Sequence, residues 1–525
     1  MLFKALNNKE KDKAERSYIY SHTTKHLKFT VKSKRSQSAL EYMMTYGWAI
    51  LIIVIVAVIL YSRGIFNPSS SVTFTSSGFS PFTVSSSLCN NIGYKIAVLA
   101  GPIPNNANSI TINKVFLTSA TGANTTTAGY TLTNPVTLKS GQSTTIIIPN
   151  VACTAAKVHY SFSAKIQYSY TAGTLGLQTV NTTGTIAGTS ISGKPSVLTS
   201  YEPITITNTQ SSATPNPFQQ MVNFTSSDNG WTSISTGNFG QNVEFFYYNG
   251  TVIPSWLESY NTTKGYAIWW IKIAEIPAAS SETVYVGFAP TSTSLFNTVN
   301  DGEAPQIPCG STSPSSCSNY AEYDDGANVF NNYWNFAGTT LNSGISTISG
   351  VTLTQDNELN FSVTSTTNTF YIMTSTSESS PFIIESLYTD RGSSANPQFG
   401  LVIDSNTPTS QDTGGGPGGT NYIYRLGSSS GYQIVEGGSV LVLGSIPYSY
   451  PYTTIGTFIQ NSTSLKSIVD GFTITTSTTA LSSGYIGFYI YSQAATTNEV
   501  TLQWLRTRSY PPNGIMPSVS FSNVA

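Results

Sequence analysis

VEFFYYNGTVIPSWLESYNTTKGYAIWWIKIAEIPAASSETVYVGFAP, residues 243–290, is built from short apolar and aromatic runs. Asn, Gly, Pro and Ser break each run within about ten residues, which is the spacing of strands joined by tight turns. Asn249-Gly250 reads as a type I′ hairpin turn between two strands, since that turn needs positive φ at both central positions. With the segments just before it, the stretch offers four strands: Phe218–Phe224, Asn242–Tyr248, Gly265–Ala274 and Thr283–Phe288. Trp256 is expected to fill the core of this unit. Glu258 is expected to hydrogen-bond the turn that follows it, in preference to the two forming a ligand pair.

The same texture extends outward. The chain has 525 residues, of which only 9% are charged, so most of it presents Ser, Thr, Asn, Gly and Tyr rather than ion pairs. Away from one N-terminal segment, no stretch carries a strong period of 3.6. In residues 67–196, YKIAVLA (94–100), SITINKVFLT (109–118), STTIIIP (143–149) and HYSFSAKIQYSY (159–170) alternate as strands do. These residues read as a β-sandwich head domain. Residues 197–216, with YEPITITNTQSSATPN, read as a linker, 217–290 as a second sandwich, and 291–320 as a connector. Residues 321–525 read as a third β domain, with PFIIESLYT (381–389), FGLVID (399–404), YIYRL (422–426) and SLKSIVDGFTI (464–474) as strands and Asp470-Gly471 as a hairpin turn.

Residues 32–61, KSKRSQSALEYMMTYGWAILIIVIVAVILY, follow different physics. From Tyr42 to Tyr61 there is no charge; as a helix, such a run of 20 residues spans roughly 30 Å, the thickness of a bilayer core. Residues 1–36 carry ten Lys and Arg against three Asp and Glu, and residues 37–525 carry fourteen against twenty-two. The positive-inside rule therefore places 1–36 in the cytoplasm and the rest outside, on a transmembrane helix within 37–66. Beside such a helix the basic run is a topology signal, not a nucleic-acid patch. The expected fold class is an all-β ectodomain of tandem sandwiches and a jelly roll, with one N-terminal transmembrane α-helix.

Three resemblances sharpen this reading. QSALEYMMTYGWA (37–49) resembles the class III signal peptides of archaeal type IV pilin-like proteins. The resemblance implies cleavage between Ser36 and Gln37 by a prepilin-type peptidase. It also implies pairing of Glu41 with the new N-terminal amine of a neighbouring pilin subunit; a lone carboxylate in lipid costs about 3 kcal/mol. The family usually has Gly before the cut, where this chain has Ser36. The pattern F-x-Y-x-N-G-T-x-[IL]-P-x-W-[IL]-E-S-Y, with the following I-W-W-I-K-I, I-P-A and T-V-Y-V segments, resembles the domain of unknown function numbered 2341 of archaeal and bacterial surface proteins. YDDGANVFNNYWNF (323–336) and SGYIGFYIYSQAATTNEVTLQWLRTRSYPPNG (483–514) resemble the opening and close of concanavalin A-like (LamG-like) jelly rolls.

Candidate chemistry is sparse. Cys89, Cys153, Cys309 and Cys317 form an even set in an exported chain, which suggests disulfides. Three connectivities are open, and proximity in sequence favours Cys89–Cys153 and Cys309–Cys317. Asn124, Asn181, Asn223, Asn249, Asn261, Asn360 and Asn461 lie in N-x-S/T sequons and are candidate glycan acceptors. Ca²⁺ wants six to eight oxygens, and Asp324 and Asp325, with Asn328 and backbone carbonyls, could supply several; capping of the first strand of the third domain is the preferred account of the pair. His159 sits in a strand-like run far from any nucleophile elbow. DTGGGPGGT (412–420) lacks the Lys of a phosphate loop and reads as a surface loop. Glycosidases need two carboxylates across a cleft; Asp324, Asp325, Glu385 and Asp404 are available, without the E-x-D-x-x-E arrangement on one strand. The Tyr-rich SIPYSYPYTT (445–454) reads either as a contact strip for sugars or as an edge strand blunted by Pro. The expectation is a non-enzymatic surface protein, pilin-like or adhesin-like, that recognises surface glycans through its C-terminal β domains. A surface-anchored carbohydrate-active enzyme and a structural envelope component are the alternatives.

Overall fold

The computed structural model describes residues 74–525, except for short stretches within that range, and parts of a helix between residues 46 and 55. The chain divides into two compact units, residues 1–71 and 72–525. In the first, the described residues are helical, and Ile50, Leu51, Ile52, Val54 and Ile55 are exposed apolar side chains. Ser36, Gln37 and Glu41 lie outside the described residues, as does most of the expected membrane segment. Among the described residues no helix is long and apolar enough to cross a membrane.

The second unit is built almost wholly of strands, grouped into three sandwiches. The first packs a five-stranded sheet, centred on the long strands His159–Thr171 and Leu177–Thr189, on a three-stranded sheet of Phe82–Cys89, Tyr94–Ala100 and Ser143–Ile148. HYSFSAKIQYSY alternates because Tyr160, Phe162, Ala164, Ile166 and Tyr168 point into this core. Cys89 and Cys153 are joined inside the same core, with Cα atoms 5.7 Å apart. Closing a loop of 64 residues constrains the unfolded chain by about 4 kcal/mol.

The second sandwich differs from the expected boundaries in three ways. Ser200–Asn208, expected within a linker, is an internal strand paired on both sides, with Ser280–Phe288 and with the C-terminal strand Ser518–Phe521. Ile204 and Ile206 enter the core from it, so the alternation in ITITN outweighs the Pro203 that suggested a break. Asp301–Glu303, expected in a connector, pairs parallel to Ser255–Asn261 as the fourth strand of a sheet with Phe218–Thr225 and Tyr266–Ile273. The last residues of the chain leave the third sandwich and return to the second.

Hairpin expectations divide. Asp470-Gly471 has positive φ at both positions, 50° and 80°, and joins Val469 directly to Phe472. At Asn249-Gly250 only Gly250 has positive φ, and the strands pair at Phe246 and Val252, so the connection is a five-residue loop, not a type I′ turn. Glycine is required there twice over, since a Cβ on Gly250 would stand 2.1 Å from the carbonyl oxygen of Gly193 in the first sandwich.

The third sandwich faces an eight-stranded sheet, containing Phe382–Asp390, Tyr452–Gln460, Ser464–Val469 and Thr496–Ser509, against a six-stranded sheet through Asn368–Ser379, Gln398–Ser405 and Ser483–Ser492. Phe382, Ile384, Tyr388, Leu502 and Leu505 fill the core between them. The residues alternating with these, Glu385, Leu387, Trp504 and Arg506, lie on the opposite face of the eight-stranded sheet. That face meets the second sandwich.

Candidate functional site

The junction between the second and third sandwiches is assembled from two strands whose outward faces are aromatic. Along Tyr266–Ile273, Ala267, Trp269, Ile271 and Ile273 enter the core of the second sandwich, while Trp270 points away from it. On the neighbouring strand Leu257 points in and Trp256, the cross-strand partner of Trp270, points out. The register slips by one residue between Leu257 and Ser259. Glu258 is the extra residue of this bulge, which re-aims its carboxylate toward the third sandwich. Trp256 is therefore a junction residue and not a core residue of its own sandwich, and Glu258 serves the junction and not a local turn.

Arg506 enters this surface from the third sandwich. Its guanidinium is 1% exposed and lies over four rings, 4.5 Å from the centroid of Phe330, 4.6 Å from Trp504, 4.8 Å from Trp270 and 5.2 Å from Trp256. Its Nη2 donates to Glu258 at 2.5 Å and its Nε to Glu385, its cross-strand partner, at 2.8 Å. Trp270 Nε1 donates to the same Glu258 oxygen at 2.8 Å. Arg508 completes the set with bonds of 3.1 and 2.9 Å to the two oxygens of Glu385 and sits 4.7 Å over Trp270. Burial alone would raise the Glu385 pKa, but the guanidinium groups of Arg508 and Arg506 outweigh it and hold the carboxyl at about 2.

Beside this knot the two sandwiches leave a cleft of about 480 Å³. Trp270, Glu385 and Arg508 are buried residues of its lining. Met221, Ile455 and Ile468 give it apolar walls, and Thr457 and Asp470 bring polar groups to them. Nη1 of Arg508 is buried and has no hydrogen-bond partner.

Asp324, one of the two acids expected to serve calcium, is committed to protein donors. Its Oδ1 accepts from Trp256 Nε1 at 2.8 Å and from the Gly326 amide at 3.0 Å; its Oδ2 accepts from Tyr333 at 2.9 Å and Asn335 at 2.8 Å. Asn328 gives its amide to the carbonyl of Thr298. Asp325 is 1% exposed and neither of its carboxyl oxygens has a hydrogen-bond partner. Burial, then Asp324 and Asp301, push its pKa up to about 9, so it is neutral at pH 7. Among the described residues no three His, Cys, Asp or Glu side chains converge on a metal position. Of the expected calcium pair, Asp324 has its oxygens filled by protein donors, and only Asp325 keeps oxygens without one.

The remaining expected residues scatter. Cys309 and Cys317 are bonded, with Cα atoms 5.6 Å apart. Asn181, Asn223 and Asn249 are exposed, as a glycan acceptor must be. Asn261 and Asn461 are half-buried, and their carbonyl oxygens cap turns at Lys264 and at Thr463 and Ser464. Asn360 is 6% exposed in the strand Leu359–Val363, its amide bonded to the Glu358 carbonyl, which closes it to modification in the folded chain. Asn124, residues 412–420 and residues 447–451 of the Tyr-rich strip lie outside the described residues. No role of Arg506 or Arg508 follows from the sequence patterns above; their one local signal is two arginines two residues apart in a strand otherwise poor in charge.

Residues 239–346 match the family model described as Domain of unknown function (DUF2341). The chain is thus a set of β-sandwich modules whose middle module carries that domain. The match runs past residue 290 through the strand Asp301–Glu303 of the same sandwich and on into Asn332–Trp334, which pairs with Thr496–Ser509 of the third. Uncharacterized protein 562 of Sulfolobus islandicus rod-shaped virus 1 is 29% identical over 357 residues, covering 61% of this chain and 58% of that protein. The chain therefore spans little more than half the length of that relative. Among solved structures, the carbohydrate binding module CBM66 from Bacillus subtilis aligns with a TM-score of 0.26 and 17% identity, covering 32% of this chain and 96% of the module. Bacillus licheniformis beta-glucanase aligns with a TM-score of 0.23 and 13% identity, covering 34% of this chain and 95% of the enzyme.

Proposed function

We propose that this is a cell-surface protein that binds glycans in the cleft between its second and third sandwiches, held at the membrane by its N-terminal apolar segment. The observation that carries the proposal is a cleft with apolar walls whose lining includes Arg508, a guanidinium with one nitrogen, Nη1, left without a hydrogen-bond partner. An orphaned guanidinium N–H costs free energy that a bound acceptor returns. A sugar supplies such an acceptor together with C–H faces that suit Ile455, Ile468 and Met221, and hydroxyls that suit Thr457 and Asp470. Binding without hydrolysis is the favoured mode, because Glu385 is held ionised by two arginines and has no proton to give at neutral pH.

The test is a glycan array on the full chain, followed by titration calorimetry with each hit. Arg508→Gln should abolish binding while the melting curve stays cooperative. Undiminished binding by that variant would remove the cleft from the function. Release of reducing ends from a bound polysaccharide would instead favour the enzyme reading. Anchoring and pilin-like assembly rest on residues 36–61. N-terminal sequencing of membrane-extracted protein should begin at Gln37, whereas an intact Met1 would rule out prepilin-type processing.

A further inference from the structure

A second concave site lies wholly within the middle module, apart from the cleft and independent of it. The loop leading to Phe239, the end of the strand Ser255–Asn261 and the loop closed by Cys309–Cys317 surround a pocket of about 310 Å³. Phe239 is buried, and Tyr260 lies flat against it with ring centroids 4.3 Å apart and planes 11° apart. Trp269 continues the stack behind Phe239 at 6.2 Å. Tyr260 is itself 38% exposed, so an aromatic face, braced from behind, stands at the pocket. Glu303 lines the same pocket and is only 5% exposed; its amide is held by the Tyr323 carbonyl, while its carboxyl group makes no hydrogen bond with a described residue. Asn238, Asn319 and Glu322 are exposed around it.

The geometry points to a binding site for one neutral sugar residue, stacked on Tyr260, with its hydroxyls on Glu303, Asn238 and Asn319. A flat aromatic face with a few convergent polar groups is the chemistry that holds a ring with one apolar side and a polar rim. The volume stands at the small end of ligand pockets, roughly 300–1,000 Å³, which suits a single ring. The lining has two carboxyl groups and no Lys, Arg or His, so an anionic ligand is disfavoured. Burial, then Glu322 and Asp324, raise Glu303 to about 8. At pH 7 it is a neutral carboxyl that both donates and accepts, as a hydroxyl partner requires, and it offers no fixed charge to an ammonium.

The experiment is saturation-transfer NMR and calorimetry on the full chain with a panel of neutral monosaccharides and their amino-sugar counterparts. At least one neutral sugar should bind. Tyr260→Ala, at an exposed ring, should weaken it about tenfold, and Glu303→Gln should weaken it more than it lowers the melting temperature. Arg508→Gln should leave this affinity unchanged, which separates the pocket from the cleft. The inference is overturned if no neutral sugar binds, if only amino sugars bind, or if binding survives both Tyr260→Ala and Glu303→Gln.

Discussion

Arg506 shows how much one side chain can hold. It bridges two carboxylates from different sandwiches and is enclosed by four aromatic rings. Removing one member of a buried ion set leaves its partners charged and dry, at a cost of about 3–5 kcal/mol. Arg506→Met should therefore lower the unfolding free energy in denaturant titrations by about that amount. Adding Glu258→Gln to it should recover part of the loss, because Glu258 then needs no counter-charge while Glu385 keeps Arg508. A double variant no more stable than Arg506→Met would show that packing against the rings, rather than charge pairing, is what Arg506 supplies. The W-L-R-x-R segment was legible in the sequence only within a stretch that resembles the close of a jelly roll, and not in its role. The partners of Arg506 are 121 and 248 residues away, and no local pattern announces such a contact.

At the scale of elements, two glycines offer a controlled comparison. Gly250 and Gly471 share a φ of 80°, but a Cβ at Gly250 meets the Gly193 carbonyl at 2.1 Å and one at Gly471 meets nothing within 4 Å. Gly471→Ala should cost about 1 kcal/mol from backbone strain alone, and Gly250→Ala clearly more, in the same thermal unfolding assay. Equal losses would mean that the first and second sandwiches separate freely at Gly193. The C-terminal strand makes a second case. Phe521 packs on Phe224 with centroids 4.4 Å apart, and Val519 joins the same core. Truncation after Ile515 should uncover the edge of Ser200–Asn208 and make the middle sandwich the first to be cut in limited proteolysis. The sequence marked Ser200–Asn208 by alternation, yet its status as an internal strand depends on ten residues at the far end of the chain.

For the whole molecule, burial of acids sets the pH response. Burial, reinforced by neighbouring acids, raises Asp301 and Glu303 to about 8 and Asp325 to about 9, against about 4 in the unfolded chain. Above pH 4 the unfolded state releases these protons and the folded state keeps them. Stability therefore falls as pH rises from about 5 to 9, by at most about 1.4 kcal/mol per unit for each group. Glu385 acts in the opposite sense: its folded pKa of about 2 lies below the unfolded value, so its contribution is complete above pH 5 and is lost as pH falls toward 2. The melting temperature should peak in mild acid, and Asp325→Asn should flatten the alkaline slope. A melting temperature that rises steadily from pH 5 to 9 would contradict this ionisation pattern.

The residues alone made legible the all-β class, the separate character of the N-terminal segment, and the strands that alternate strictly. These are properties of short windows, where a period of two or a compositional break is written in adjacent residues. Only the tertiary structure decided where the modules end, that Trp256 and Glu258 serve a junction, that Asp324 is already saturated, and that Glu303 and Tyr260 meet in one pocket. Those outcomes depend on contacts between residues tens to hundreds of positions apart. The ionisation of a carboxyl, and hence its use, depends on which of its distant neighbours exclude water from it.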